Sequence, residues 1–281
     1  MNSTTKRIMK INKCISPSNI FFADRKEHFF QFLRSVFYKT GVPEHVANML
    51  TEKRNMIHYN SAFTSIHVSK THNYEPFEQL GDAVAQHFLV QYSYQRFPNL
   101  FIENGVSIVA RIKIKYGSKN TFADIADKLG FFDFISETHE RRGRCKKDLL
   151  EDVFESFLGA TEFIMNINRM NGYMCCYDIL KSCFDKIHIP LTYENLFDPK
   201  TRLKELFDKN PNDLFKLEYK SERINNKVSV LVLNVAHNGT EIIGRGFGNT
   251  LIAAKMDAST NAIEFLRKNK NVYYKGDMQL N

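Results

Sequence analysis

At 281 residues the chain is long enough for one large domain or two ordinary ones, and with 43% hydrophobic and 25% charged residues it is not wholesale disordered. A formal net charge of +8 points to an anionic partner, nucleic acid before membrane, and no run approaches the roughly 18 to 20 apolar residues of a membrane helix. Five cysteines (Cys14, Cys145, Cys175, Cys176, Cys183), odd in number and without Cys-x-x-Cys spacing, read as reduced intracellular thiols and exclude a disulfide framework or zinc site.

Residues 1–23 form a basic N-terminal arm, with Lys6, Arg7, Lys10 and Lys13 and no acid before Asp24. The arm reads either as flexible or as a mitochondrial-type targeting segment. It lacks the apolar core of a secretory signal, so an intracellular protein, cytoplasmic by default, is expected. Residues 24–57 read as a helical extension. Phe29, Phe32, Leu33, Val36 and Phe37 step at helical spacing, Gly41-Val42-Pro43 ends that helix, and a second stretch runs from Val46 to about Met56. From 58 to 190 helical periodicity recurs with sparse Gly and Pro, and the segment is expected to be all-helical.

Within it, Asn73-Tyr74-Glu75-Pro76-Phe77-Glu78-Gln79-Leu80-Gly81-Asp82-Ala83-Val84 opens a helix, with Pro76 in the first turn and acids at the positive end of the dipole. Leu80, Val84 and Phe88 mark a buried stripe, while Glu75, Glu78 and Asp82 at i, i+3 and i+7 share another face. Like charges stacked in this way repel, so something positive is expected opposite them. A second carboxylate helix covers Lys147 to Ala160. Its apolar side is Leu149, Val153, Phe154, Phe157 and Leu158, and Asp152 and Glu155 lie on its polar side in line with Asp148 and Glu162. Gly159 leaves that face bare and would admit a close-packed backbone. If the two helices pack together, Glu78, Asp82, Asp152 and Glu155 converge, a donor set suited to Mg²⁺. The bland reading is a pair of solvated helix faces.

Between the two helices, His139-Glu140-Arg141-Arg142-Gly143-Arg144-Cys145-Lys146-Lys147 reads as a loop by its glycine and charge. It is either solvated surface or, through Arg141, Arg142, Arg144, Lys146 and Lys147, a contact for RNA phosphates. After Ile189-Pro190 the character changes. Asp198-Pro199 opens a helix, with Asp198 as its cap. Alternating runs follow at Leu214–Tyr219, Val228–Val235 and Glu241–Phe247, with Asn225-Asn226 and Asn238-Gly239 as hairpin turns between them. A last helix carries Ala254, Ala258, Ala262 and Leu266.

Glu78-Gln79-Leu80-Gly81-Asp82-Ala83-Val84 resembles the signature of the ribonuclease III family, Glu-Phe-Leu-Gly-Asp-Ala/Ser-Val. Phe97-Pro98, Glu103-Asn104-Gly105-Val106-Ser107, Phe122 to Gly130, and Asp152-Val153-Phe154-Glu155 with Gly159-Ala160 resemble further family segments in family order. The helix, three strands and helix at the C-terminus resemble the double-stranded RNA-binding domain, through Asp198-Pro199-Lys200-Thr201-x-Leu203-x-Glu205 and Gly244-x-Gly246-x-Gly248. The expected fold is thus α+β overall. An all-α ribonuclease III endonuclease domain at 58–190 is followed by an α-β-β-β-α double-stranded RNA-binding domain at 197–270 and a tail at 271–281.

The resemblance implies a Mg²⁺-dependent endoribonuclease, Mn²⁺ serving as a substitute, that cuts double-stranded RNA to 5′-phosphate and 3′-hydroxyl products with short 3′ overhangs. It makes Glu78, Asp82, Asp152 and Glu155 the catalytic metal ligands, with Glu75 and Glu103 as supporting acids. RNA processing or degradation is the expected role, RNA-silencing suppression a variant of it. Two departures stand out. The family's interfacial Phe is Gln79 here, so a homodimer is expected with a heterodimer as the alternative. The RNA-binding domain lacks the family's Gly-Pro-x-His turn, and Leu251 and Ile252 replace its paired lysines. RNA contact there would fall to Glu205, toward a 2′-hydroxyl, and to Arg223, Lys227, Arg245 and Lys255. Residues 197–281 hold 14 Lys and Arg against 10 Asp and Glu, little charge for a dedicated clamp. A non-catalytic ribonuclease III fold serving as a structural or RNA-binding subunit is the competing expectation.

Overall fold

In a computed structural model the protein is described over residues 17–103, 105–211, 214–236 and 239–270. Most of the basic N-terminal arm with Cys14, Asn104, Asn238 and the 271–281 tail lie outside the described residues. The chain divides into two compact units, one ending at His188 and one beginning at Ile189.

The first unit begins with β1 (Ile20–Phe21) and α1 (Glu27–Lys39). Of the expected stripe on α1, Phe29, Leu33, Val36 and Phe37 are buried, and Phe32 stacks on Phe134 with centroids 4.3 Å apart. Gly41, at φ +79°, ends this segment as expected. The single helix expected from Val46 to Met56 is instead two, α2 (Glu44–Leu50) and α3 (Met56–Ala62). Thr51 Oγ1 donates to Ala47 O at 2.8 Å and Asn55 Nδ2 to Met49 O at 2.8 Å. Ala47 O still receives its helical bond from Thr51 N at 3.0 Å, whereas the Asn55 side chain takes up Met49 O, which a continuing helix would have given to Lys53 N.

Then come α4 (Glu75–Arg96), α5 (Gly105–Tyr116), α6 (Lys119–Leu129), β2 (Glu137–Thr138), α7 (His139–Arg144), α8 (Lys146–Ile167) and α9 (Gly172–Phe184). The unit is therefore not wholly helical: β1 pairs antiparallel with β2, Ile20 opposite Thr138 and Phe21 opposite Glu137. Arg25 holds this strap down by donating to Phe134 O at 2.8 Å, Asn60 O at 2.6 Å, Ser136 Oγ at 2.9 Å and also Phe63 O. The stretch expected to be a loop, 139–147, is α7 followed directly by the start of α8. Thr138 Oγ1 accepts from Arg141 N at 3.4 Å and caps it.

α4 and α8 cross at the centre of the unit, and glycines decide how closely. A Cβ added at Gly81 would lie 1.8 Å from Glu155 O, and one at Gly159 would lie 2.0 Å from Phe77 O. The bare face anticipated at Gly159 is thus covered by α4, and Gly81 forms the other half of the contact. The buried stripe of α4 is Gly81, Val84, Ala85, Phe88, Leu89 and Tyr92; Leu80 is only half-buried, because the crossing runs over Gly81.

The second unit holds α10 (Tyr193–Leu196), α11 (Pro199–Lys209), the antiparallel sheet β3-β4-β5 and α12 (Leu251–Lys270). Asp198 caps α11 by accepting from Thr201 N at 3.0 Å. The strands are β3 (Lys216–Ile224), β4 (Lys227–Ala236) and β5 (Gly239–Gly248). Asn225 and Asn226, at φ +46° and +63°, make the tight turn that two left-handed asparagines permit. β3 therefore runs on to Ile224, past the expected end at Tyr219, through residues that are mostly polar and exposed. The last helix carries Ala254, Ala258, Ala262 and Leu266 as expected, and all four are fully buried in the core of this unit. A Cβ at Gly246 would meet Ala258 N at 2.1 Å, so that glycine sets how near α12 approaches. Among the described residues no helix is long and apolar enough to cross a membrane.

Candidate active site

The crossing of α4 and α8 fixes the surroundings of four carboxylates. Glu78 and Asp82 sit on α4 either side of Gly81's neighbourhood, and Asp152 and Glu155 on α8. Asp82 is exposed, Glu78 and Asp152 are half-buried, and Glu155 retains 8% exposure. Burial pushes Glu155 up to about 8, and the charges of Asp82, Glu151, Glu78 and Asp152 push the same way. Glu78 is raised to about 7, first by burial and then by Asp152, Glu75, Glu151 and Asp82. Asp152 is raised to about 6 by burial, against the pull of a hydrogen bond from Tyr74. These groups act on one another across the two helices, which a solvated helix face would not do.

The supporting acids divide. Glu75 is exposed, and its charge acts on Glu78. Glu103 is exposed in the turn before α5 and is not among the charges that raise Glu78, Asp152 or Glu155. Asp148 and Glu162, expected in line with Asp152 and Glu155, fall on the same helix α8. Asp148 is bound at 2.7 Å by Lys119, and Glu162 lies beside Gly172 and within the influence of His87.

Three residues here escaped the sequence reading. Lys119, the first residue of α6, holds Asp148 and, at 3.3 Å, Glu151. Glu151 adds a fifth carboxylate that raises Glu78 and Glu155. The Tyr74 hydroxyl donates to Asp152 Oδ2 at 3.1 Å. Among the described residues no three His, Cys, Asp or Glu side chains gather into a ready-made metal cage. The donor chemistry nonetheless fits a hard divalent cation: Glu78, Asp82, Asp152 and Glu155 offer oxygens only, with excess negative charge, and Lys119 is already paired with their neighbours.

The basic run is largely engaged within the fold. Arg141 pairs with the fully buried Glu137 at 3.1 Å, Arg144 with Glu140 at 2.7 Å, and Lys146 with Asp127 at 2.9 Å; Lys147 donates to Asn120 at 3.1 Å. Arg142 donates to Phe132 O at 3.1 Å and Ile135 O at 2.5 Å, and its guanidinium lies 3.9 Å and 4.1 Å from the ring centroids of Phe21 and Phe132. Arg142→Ala is therefore expected to destabilise the protein by about 1–3 kcal/mol in a denaturant melt, since two carbonyls lose a charged donor. In the second unit the Tyr193 hydroxyl donates to Glu205, Lys255 lies 5.5 Å from the ring centroid of Tyr219, and Arg223, Lys227 and Arg245 are exposed. Gln79 is exposed on α4. A cavity of about 580 Å³ lined by Lys39, Lys128, Cys183 and Lys186 shares no residue with the carboxylates.

A Ribonuclease III domain model matches residues 75–162, the span from the first turn of α4 through the carboxylates of α8. A protein of Invertebrate iridescent virus 6 named as a ribonuclease 3 is 36% identical over 272 residues, which cover 91% of this chain and 93% of that one. One of Frog virus 3, named likewise, is 44% identical over 155 residues, 53% of this chain and 42% of that one. The Ribonuclease 3 of Ligilactobacillus salivarius is 28% identical over 200 residues, 69% of this chain and 81% of that one. The chain belongs to the ribonuclease III family of endoribonucleases.

Proposed function

We propose that the chain is a divalent-cation-dependent endoribonuclease that cuts double-stranded RNA, with Glu78, Asp82, Asp152 and Glu155 as ligands of Mg²⁺, for which Mn²⁺ substitutes. The observation that carries this reading is the close α4–α8 crossing at Gly81 and Gly159, which brings those carboxylates within one another's influence, so that burial and their mutual charge raise Glu155 and Glu78. Such a cluster is costly unless a cation neutralises it. Glu78, Asp82, Asp152 and Glu155 would hold the cation, which would supply an activated water and charge neutralisation for the departing 3′ oxygen. The chain's own part is to hold the donors at fixed separation through the Gly81–Gly159 crossing, and to keep Glu151 and Asp148 tied to Lys119. The products carry 5′-phosphate and 3′-hydroxyl ends with short 3′ overhangs, as the family resemblance implies.

The C-terminal unit is read as a double-stranded RNA-binding domain in which exposed Arg223, Lys227 and Arg245 approach phosphates. Two copies of the chain cutting one duplex is the assembly this reading favours, with a heterodimer the alternative at Gln79. The test is to offer the full chain a perfectly paired RNA and its separate strands in Mg²⁺. Cleavage confined to the duplex, leaving 5′-phosphates that a phosphate-dependent exonuclease accepts, is the expected result. Duplex binding without cleavage would instead favour a non-catalytic subunit.

A further inference from the structure

Tyr74 stands one residue before α4 and is tied to both carboxylate helices at once. Its carbonyl accepts from Glu78 N at 2.9 Å, on the α4 side. The same carbonyl accepts from Ser156 Oγ at 3.2 Å, and its hydroxyl donates to Asp152 Oδ2 at 3.1 Å, both on α8 and one turn apart. Its own N–H is fixed to Thr64 O at 2.9 Å. With backbone and ring so held and only 3% of the residue exposed, the hydroxyl has little freedom to point elsewhere. The bond engages one of the two carboxylate oxygens of Asp152.

We propose that Tyr74 is a positioning residue that orients the Asp152 carboxylate toward a divalent cation shared with Glu78, acting through its hydroxyl on Asp152 and its carbonyl on the two helices. This rests on the reading of the four carboxylates as metal ligands. Loss of a partner that orients a metal-binding carboxylate typically lowers metal affinity or activity by about 10- to 100-fold.

The test is Tyr74→Phe, which deletes the hydroxyl and keeps the ring, with Tyr59→Phe as control. Tyr59 is another buried tyrosine of the same unit, whose hydroxyl contacts Thr161 Oγ1 at 3.1 Å, away from the carboxylates. Mn²⁺ binding is measured on the full chain by paramagnetic resonance, alongside the Mg²⁺ concentration for half-maximal duplex cleavage and duplex affinity in the presence of chelator. Tyr74→Phe is expected to raise the Mn²⁺ dissociation constant and the half-maximal Mg²⁺ concentration by about 10- to 100-fold, with duplex affinity unchanged and a cooperative melt retained. Tyr59→Phe should leave both metal readouts within about twofold of wild type. Equal metal affinity in Tyr74→Phe and wild type, or the same loss in Tyr59→Phe, would overturn the proposal. A wild-type chain that neither binds Mn²⁺ nor cleaves would overturn the metal-site reading itself.

Discussion

Glu155→Gln is expected to abolish cleavage while making the protein more stable above neutral pH. Removing one oxygen ligand withdraws part of the several kcal/mol of charge stabilisation a metal provides, so a rate loss of about a hundredfold or more is expected. The stability effect has the opposite sign because Glu155 is raised from its usual range to about 8 in the fold. A carboxyl whose folded pKa lies above its unfolded value contributes stability at low pH that is lost as pH rises through the folded value. Glu78, raised to about 7, and Asp152, raised to about 6, act in the same direction. Metal-free wild type should therefore melt at progressively lower temperature as pH rises from about 5 to 9. The glutamine variant should show a flatter profile, and Mg²⁺ should restore the wild type at high pH. Thermal melts with and without Mg²⁺ across that range check the sign; a wild-type melt that rises with pH in the absence of metal would contradict it.

Gly81→Ala is the substitution expected to do most damage to the fold. Its Cβ would lie 1.8 Å from the backbone oxygen of Glu155, and neither helix backbone can yield as a flexible side chain would. Overpacking of this kind costs about 3 kcal/mol or more. Relief by parting α4 from α8 also parts Glu78 and Asp82 from Asp152 and Glu155, and a displacement of about 1 Å at a reacting centre costs on the order of a hundredfold in rate. Denaturant melts and cleavage rates of the folded fraction should fall together. The control is Gly143→Ala in α7, where an added Cβ meets nothing within 4 Å. There the melt should hold or rise by up to about 1 kcal/mol, as for Gly→Ala within a helix.

How much of this was legible before the structure depended on how local each feature is. The two carboxylate helices were legible because acids and apolar residues at helical spacing carry their own signal, and because Gly81 and Asp82 sit inside a family signature. Gly159 announced a close approach but not its partner, which only the crossing with Phe77 and Gly81 supplies. Tyr74, Lys119 and Glu151 were invisible for the same reason: their partners lie 78, 29 and 32 positions away in the chain. The basic run misled because a six-residue helix shows no periodicity, and glycine with dense charge suggested a loop. Yet Thr138 caps it and Arg142 turns inward onto Phe21 and Phe132. The β1–β2 pair is two residues per strand, too short for alternation to register. In the C-terminal unit, alternation located the strands but ended β3 early, because its last residues pair through hydrogen bonds and not through a buried face.

The measurement that bears most directly on the account is cleavage of a perfectly paired RNA by the full chain across a Mg²⁺ titration, ended by chelator and repeated with Asp152→Asn. The account predicts cleavage that appears and saturates with Mg²⁺, stops on chelation, and is lost in a variant that still melts cooperatively and still binds the duplex. Cleavage that persists in chelator, or survives in Asp152→Asn at the wild-type rate, would contradict the assignment of this carboxylate crossing as the catalytic metal site.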